Sequence, residues 1–500
     1  MLTQISSFSD ASAALTLFAI VVSSLYIFYR VYRRHLETKK PFQELPMAEG
    51  NNWIFGHARD LIASSNFDEA YRRVFVDSAN KYGQTGYWAA YFRGVSVLSV
   101  QDARTVLNTQ NERRPPLLAR HFNRNFIGDK NLLIINGREW KFHRNAVART
   151  FNPKFLLGSR AGMKSVAETM VHSIQEKIHQ SGENVKEMDM EPLLKMITLD
   201  VFGKIALSTD FQLCTTLKPS PLVRAFEFLL NGTIARLSAP WRPKNFFYSL
   251  PFEQNRIHNK ERQLIRSFVA DLINEKRDSM EKEDDDLLSH LIRAHHEVPG
   301  GKLKPEDVSD EAMTDVLMTL LFAGYGKCQG GLCRGCHSRI QCTHFYSLSL
   351  VTKDTTSVTL TFALYLLANH PEIQELCFEE IRDVKTIENM EELVYCKAVI
   401  WEALRLFPAA VRTNRALSKP VELSGGFVAP AGTRVIIPIW NIHRDEQNFP
   451  EPETFRPDRW AKQDESKKCW VERDASTDSD EGDIAAGDHK AFLAFSAGGR

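Results

Sequence analysis

The amino-acid sequence predicts a mainly α-helical chain with small β-sheets, which is an α+β fold class. Apolar residues follow helical spacing through most of residues 153–293 and again over residues 390–407. Residues 86–100 and 421–439 instead alternate apolar and polar side chains in part, and this pattern favours strands. Long helices around a few short strands are therefore expected to make up most of the chain.

Shorter helices and loops complete the predicted order of elements. Residues 66–82 have the pattern of an amphipathic helix, and residues 102–109 that of a short helix. Loops are expected near residues 216–221 and 240–251. The last long helix is expected to end before Pro408, because a proline ring lacks the N–H that a helix interior needs.

The composition is that of a large globular protein. The chain has 500 residues, of which 43% are apolar and 25% charged, and these proportions suit a sizeable core. A formal net charge of +1 lacks the basic excess of nucleic-acid-binding domains, so no nucleic-acid partner is expected. Since no internal repeat or Gly/Ser-rich linker divides the chain, residues 41–500 are predicted to form a single domain.

An uncharged stretch near the amino terminus predicts a membrane anchor. Residues 11–29 contain no charged side chain, and a helix of this length spans roughly 28 Å, enough for the hydrocarbon core of a bilayer. Basic residues follow the stretch and none precedes it, which by the positive-inside rule leaves the bulk of the protein in the cytosol: Arg30, Arg33, Arg34, Lys39 and Lys40. The alternative, a cleaved signal peptide, is disfavoured by the missing basic n-region. Residues 1–40 are therefore predicted to form a single-pass anchor with a basic stop.

A carboxylate and a guanidinium lie close together on the helix over residues 390–407. Glu402 and Arg405 are three residues apart, so they share one face of that helix. If this face is buried, the two charges must be paired and hydrogen-bonded, because an unpaired buried charge is very costly. The alternative is an exposed pair that contributes a few tenths of a kcal/mol, roughly 0.2–0.5.

Two further stretches follow this helix in a suggestive order. Residues 455–460 read Phe-Arg-Pro-Asp-Arg-Trp, and residues 495–500 read Phe-Ser-Ala-Gly-Gly-Arg. Together with Glu402 and Arg405, they resemble the cytochrome P450 family of haem-thiolate monooxygenases over nearly the whole chain. The resemblance implies the cytochrome P450 fold, and it implies that the helix pair locks structurally with Arg459. It also implies that the last stretch helps to bind haem through Phe495, Gly498 and Arg500.

The resemblance also implies an activity, a location and partners. Members of this family insert one oxygen atom of O₂ into a substrate, here expected to be an apolar, lipid-like molecule. The electrons come from NADPH through a flavoprotein reductase. The expected docking face for this reductase is basic and includes Arg138, Lys141 and Arg144. Since the eukaryotic microsomal members have the same kind of anchor, the chain is expected in the endoplasmic reticulum membrane with its catalytic domain in the cytosol.

Particular residues match the positions that contact haem and substrate in this family. Trp140 and Arg144 are four residues apart on one helix face. Both are pure hydrogen-bond donors, suited to a carboxylate of the haem. The alternative for this pair is a surface helix with a half-buried tryptophan. By the same resemblance, Arg113 and Arg415 are expected to contact haem carboxylates. Expected substrate contacts are Ala323, Ala409, Ala410 and Val411.

The predicted catalytic helix is interrupted in this sequence. Residues 310–325 are helical in pattern with Ser309 as N-cap, and residues 354–368 are helical again. Joined directly, they resemble the family's central helix, in which Asp354 and Thr355 would deliver protons during dioxygen activation. The intervening residues 326–353 hold four of the eight cysteines. Three readings of this segment remain open: a retained intron, an extruded surface loop, and a zinc-binding module with Cys-x-x-Cys-His.

The sequence departs from the family where the iron ligand is expected. The family places a cysteine two residues beyond Arg500, and none of the eight cysteines in the chain follows the loop over residues 495–500. The expectation is therefore that the polypeptide as written is inactive, because the thiolate ligand supports O–O cleavage. The alternatives from other classes are a catalytically dead membrane-anchored protein and a zinc-binding interaction module in residues 326–353.

Overall fold

A computed structural model describes most of the chain. The description covers isolated residues between 22 and 37, and then residues 40–47, 56–57, 67–89, 92–109, 117–150, 152–181, 188–238, 247–281, 284, 286–296, 305–324, 355–383, 390, 392–464, 469–473 and 489–497. The predicted anchor over residues 11–29 lies mostly outside these ranges. Within them, no helix is both long enough and apolar enough to cross a bilayer.

The described residues are mainly helical. The α-helices, in chain order, are α1 Phe67–Phe75, α2 Val100–Thr109, α3 Leu117–Phe126, α4 Gly137–Thr150, α5 Pro153–Ser181, α6 Met190–Ala206, α7 Leu213–Thr216, α8 Pro221–Ser238, α9 Glu253–Ser279, α10 Leu287–His296, α11 Asp310–Gly324, α12 Thr355–Asn369, α13 Pro371–Asp383, α14 Val394–Leu406 and α15 Ile439–Ile442. The strands are β1 Gln84–Ala89, β2 Phe92–Val97, β3 Thr413–Ala416, β4 Val421–Glu422, β5 Val428–Ala429, β6 Arg434–Ile437, β7 Ala461–Asp464 and β8 Cys469–Glu472. The mainly α-helical class with small sheets is thus confirmed.

The chain forms two compact units. The first contains residues 1–110 and 414–438, and the second contains residues 111–413 and 439–500. The expectation of a single domain over residues 41–500 stays a prediction.

The first unit is organised around a four-stranded sheet in the order β1-β2-β6-β3. Strands β1 and β2 are antiparallel, whereas β2 and β6 pair in parallel. A buried carboxylate supports this unit from α2, because Asp102 accepts hydrogen bonds from Gln84 Nε2 at 2.7 Å and from the Ser424 backbone N–H at 2.8 Å. Charge-assisted bonds of this kind hold two distant segments to one helix.

In the part of the chain that the structure describes, the second unit contains a large apolar core, to which helices from α3 to α11 contribute. Phe126 and Phe322 meet edge to face in this core, with ring centroids 4.7 Å apart. The same unit contains a partly buried ion pair, since Arg266 Nη1 donates to the buried Asp315 Oδ1 at 2.5 Å and the Lys130 backbone N–H donates to Asp315 Oδ2 at 2.9 Å. The helices of this unit position the candidate site.

Element boundaries differ from the sequence predictions in understandable ways. The helix predicted over residues 66–82 ends at Phe75, where the chain enters turns. The helix predicted over residues 390–407 begins at Val394 and ends at Leu406, two residues before Pro408. Ser309 is confirmed as an N-cap, because its Oγ accepts the Ala312 backbone N–H at 3.2 Å.

Candidate functional site

The Glu402 carboxylate is the centre of a buried polar cluster in the second unit. Glu402 and Arg405 have side chains with 0% exposure, so the exposed alternative for this pair is wrong. Arg405 donates Nε to Glu402 Oε2 at 2.9 Å and Nη2 to Oε1 at 2.7 Å. The pairing is bidentate, which gives both energy and a defined orientation.

Arg459 joins this pair, as the resemblance to the family implied. Its Nε donates to Glu402 Oε1 at 3.2 Å, and its side chain is also fully buried. Burial lowers the pKa of Arg459, and the charge of Glu402 opposes that change. Two more donors reach the same carboxylate: Trp460 Nε1 at 2.9 Å and the Arg456 backbone N–H at 3.1 Å. One carboxylate thus holds α14 to the turn over residues 456–460.

The guanidinium of Arg405 uses its remaining donor capacity on backbone carbonyls. Nη1 donates to His443 O at 2.9 Å and to Pro452 O at 2.7 Å, and Nη2 donates to Thr454 O at 3.2 Å. These acceptors belong to the segment between α15 and the turn. Arg405 therefore stabilises the loop over residues 443–454, which lacks the regular backbone hydrogen bonds of a helix or a sheet.

His443 extends the cluster toward the end of the chain. Its Nε2 accepts the Leu493 backbone N–H at 2.8 Å, so Nδ1 carries the proton and donates to Arg405 O at 3.2 Å. Both ring nitrogens are satisfied only in the neutral form. Burial lowers the pKa of His443 to about 3, and the neutral ring thereby ties the segment before Phe495 to α14.

The predicted catalytic helix contacts the carboxyl end of α14. The rings of Phe362 on α12 and Phe407 after α14 are stacked, with centroids 4.1 Å apart and planes 2° apart. Thr355 begins α12 and lies seven residues before Phe362, so both residues share one helix face. The exposed Thr355 side chain therefore lies on the face of α12 that turns toward the end of α14.

The predicted haem-binding pair lies on one helix. Trp140 and Arg144 both belong to α4. Trp140 is half-buried and Arg144 is exposed, and Arg144 forms no ion pair with any of the residues that the structure describes. The helix is thus as predicted, and its donors lie at the spacing that the sequence indicated.

The predicted haem contact in β3 and the predicted substrate contacts after Pro408 lie in different parts of the chain. Arg415 lies in β3 of the first unit, where it is buried and donates Nη1 to the Asn414 carbonyl at 3.0 Å. Ala409 is buried and Ala410 exposed in the turn after Pro408, and the Val411 carbonyl accepts the Trp440 backbone N–H at 2.9 Å.

The remaining predicted positions are only partly covered by the described residues. Ala323 lies in α11, but its side chain is outside the description. Phe495 is described and is 76% exposed. Four predicted residues and the whole interrupting segment lie outside the described ranges: Arg113, Asp354, Gly498, Arg500 and residues 326–353. Among the described residues, no group of three or more His, Cys, Asp or Glu side chains could hold a metal ion.

Sequence reasoning missed two members of the cluster. Trp460 stands directly after Arg459, and His443 lies 38 residues beyond Arg405 along the chain. The indole N–H of Trp460 was an available signal, because a buried tryptophan usually finds an acceptor. Nothing in the sequence near His443 indicates its partners, which come from α14 and from residue 493.

Comparisons with known proteins agree on one family. The sequence model of the family described as "Cytochrome P450" matches residues 46–326 and 351–500. Among curated proteins, cytochrome P450 3A11 of Mus musculus is 25% identical over 412 residues, which are 80% of this chain and 74% of that protein. Cytochrome P450 4Z1 of Homo sapiens is 26% identical over 479 residues, 90% of this chain and 83% of that protein. The gap in the family match falls within the predicted interruption at residues 326–353.

Proposed function

The chain belongs to the cytochrome P450 family, whose members are haem-dependent monooxygenases, and we propose that it oxidises an apolar, lipid-like substrate with electrons from NADPH. The observation that carries this proposal is the buried cluster around Glu402. It holds α14, the turn over residues 456–460 and the segment before Phe495 in one arrangement. That arrangement supports the loop which this family uses to bind haem.

The described residues fit a haem group. Arg144 is an exposed guanidinium without an ion-pair partner among the described residues, one helical turn from the indole N–H of Trp140. A guanidinium and an indole N–H can only donate hydrogen bonds, so this pair suits the carboxylates of the porphyrin as acceptors. Phe495 presents a largely exposed aromatic ring at the start of the loop, and an exposed ring of this size suits a partner that is flat and apolar.

When bound, haem would supply the activation of dioxygen, by which one oxygen atom enters a C–H bond and the other is reduced to water with electrons from NADPH. The chain's own residues then have separate tasks. Trp140 and Arg144 bind and orient the haem carboxylates. The hydroxyl of Thr355 holds and passes a proton, with Asp354 before it as the expected source. The apolar substrate is contacted by the residues that follow α14, namely Ala409, Ala410 and Val411.

Thr355 offers a direct test of the proton-transfer role. We predict that Thr355→Ala lowers the ratio of product formed to NADPH consumed by roughly tenfold or more, because a positioned proton donor is lost. The matched control is Thr356→Ala, since Thr356 is also exposed in the first turn of α12 but lies about 100° further round the helix. Equal ratios in both variants would refute this role.

The proposed activity is tested with the protein expressed from the natural transcript. The transcript is sequenced first, so that the residues it encodes between 325 and 354 and near residue 500 are known. That protein is purified, supplied with haem and a flavoprotein reductase, and assayed for NADPH-dependent oxidation of a panel of apolar lipids. The expected results are stoichiometric haem binding and an oxygenated product. Absence of haem binding by the folded protein would overturn the proposal.

The proposed location is the endoplasmic reticulum membrane, with the catalytic part in the cytosol. The support is the uncharged stretch at residues 11–29 and the basic residues that follow it. Protease treatment of intact microsomes should digest the catalytic part, and complete protection of that part would contradict this orientation.

A further inference from the structure

We propose that Cys377 and Cys396 are a redox-active pair that a peroxide converts into an intramolecular disulfide, which joins α13 to α14. The two residues come from different helices, Cys377 from α13 and Cys396 from the first turn of α14. Both are present as free thiols. Neither cysteine is among the predicted haem contacts, and the chemistry of the pair does not depend on the proposed oxygenation.

The geometry that brings the thiols together comes from a third residue. Glu380 follows Cys377 by three residues on α13, so both lie on one face of that helix. The Glu380 carboxylate accepts the backbone N–H groups of Tyr395 at 2.8 Å and Cys396 at 2.9 Å. Glu380 thus caps the start of α14, where N–H groups have no helical partner, and it holds Cys396 against α13.

The contact between the cysteines is direct. Cys396 Sγ donates to the Cys377 carbonyl at 3.8 Å. The interaction with the neighbouring Cys396 side chain lowers the pKa of Cys377, and the interaction with the Cys377 side chain raises the pKa of Cys396. Cys377 is therefore the sulfur that ionises first, with a protonated thiol held beside it. An ionised thiol is the nucleophile in thiol oxidation, and a neighbouring thiol resolves the product.

The reaction balances with hydrogen peroxide as the oxidant. The Cys377 thiolate attacks one peroxide oxygen, the O–O bond breaks, and a sulfenic acid and one water are formed once the leaving oxygen takes up a proton. The Cys396 sulfur then attacks the Cys377 sulfur, the S–O bond breaks, and a second water leaves. In total, two thiols and one peroxide yield one disulfide and two waters, and the two sulfurs lose two electrons.

The bond would act on the helix that carries the Glu402 cluster. It closes a loop from residue 377 to residue 396, and such a crosslink restricts the unfolded chain. Since α14 also bears Glu402 and Arg405, the oxidised protein should resist unfolding in this part of the second unit. Dithiothreitol should reverse the change, because an accessible dithiol reduces disulfides by exchange.

The test is peptide mapping of the full-length protein after graded hydrogen peroxide, with free thiols blocked by N-ethylmaleimide. We expect a linked peptide pair that contains Cys377 and Cys396, disappears with dithiothreitol and raises the Tm by a few degrees. In Cys396→Ser, Cys377 should stop at a sulfenic acid that dimedone traps. The exposed Cys469 and the buried Cys214, whose thiol pKa is raised by burial, serve as internal controls.

A conservative variant separates this chemistry from a purely structural contact. Glu380→Gln keeps a side-chain acceptor for the start of α14 but removes a charge that raises the pKa of both thiols. Alkylation of Cys377 should then be severalfold faster at the same pH. The proposal fails if Cys377 and Cys396 both stay alkylatable at peroxide doses that oxidise Cys469, or if either cysteine links mainly to another one.

Discussion

Replacement of Glu402 by glutamine is expected to lower the free energy of unfolding by about 3–5 kcal/mol, the cost of leaving buried charges without their partner. The Glu402 carboxylate accepts hydrogen bonds from the guanidinium groups of Arg405 and Arg459 and from the indole N–H of Trp460. All three hydrogen bonds are buried. Glutamine has nearly the same size as glutamate, so the substitution creates no cavity that would add to the loss of stability. The loss should appear as a lower urea midpoint, followed by tryptophan fluorescence.

The matched control for this change lies on the same helix. Lys397 forms an ion pair with Glu472 of β8, and the two side chains are 47% and 56% exposed. Glu472→Gln should therefore cost less than about 1 kcal/mol. Arg405→Lys is a second variant of the cluster, because lysine cannot supply the five hydrogen bonds that Arg405 donates. If Glu402→Gln and Glu472→Gln unfold at the same urea concentration, the cluster does not stabilise the fold as we infer.

Acidification from pH 7 to pH 5 is expected to destabilise the protein by about 6 kcal/mol through three buried histidines. Burial is the first cause that lowers the pKa of His143 and His258 to about 4 and that of His443 to about 3. In the unfolded chain, each histidine takes up a proton near pH 6.5. The folded state cannot do so at pH 5, so unfolding is favoured by about 2 kcal/mol for each ring.

The direction of this effect is specific to groups whose pKa is lowered on folding. The contribution of these neutral rings is fully present above about pH 6.5, and it declines as the pH falls toward 4 for His143 and His258 and toward 3 for His443. Protonation of His443 at Nε2 would also break its bond to the Leu493 N–H. Because the pKa of His443 is the lowest of the three, this bond should be the last of these interactions to break in the folded protein as the pH falls.

His443→Phe separates the pH effect from the loss of hydrogen bonds. The variant should be less stable at pH 7, but the difference in unfolding free energy between pH 7 and pH 5 should shrink by about 2 kcal/mol. His179→Ala is the control, because His179 is exposed on α5. An unchanged pH difference in His443→Phe, measured by urea unfolding at both pH values, would show that His443 does not supply this part of the acid sensitivity.

The site could be predicted from sequence only where its information is local or carried by ordered motifs. Trp140 and Arg144 share a helix face because of their spacing, and Ser309 caps α11 because its side chain reaches an N–H three residues on. The pairing of Glu402 with Arg459 followed from a resemblance, since 57 residues separate the two. Physical reasoning from local spacing has no means to pair residues so far apart.

The sequence by itself determined the mainly helical class, the family, and the end of α14 before Pro408, because helix periodicity, ordered motifs and proline chemistry are written in neighbouring residues. Only the tertiary structure decided that Glu402 and Arg405 are buried, since a pair three residues apart looks the same on an exposed face and on a buried one. It also supplied His443 and Leu493 as partners of that helix and placed Cys377 beside Cys396. The physical reason is that burial, and with it the pKa of a histidine or the reactivity of a thiol, depends on which distant segments cover a side chain.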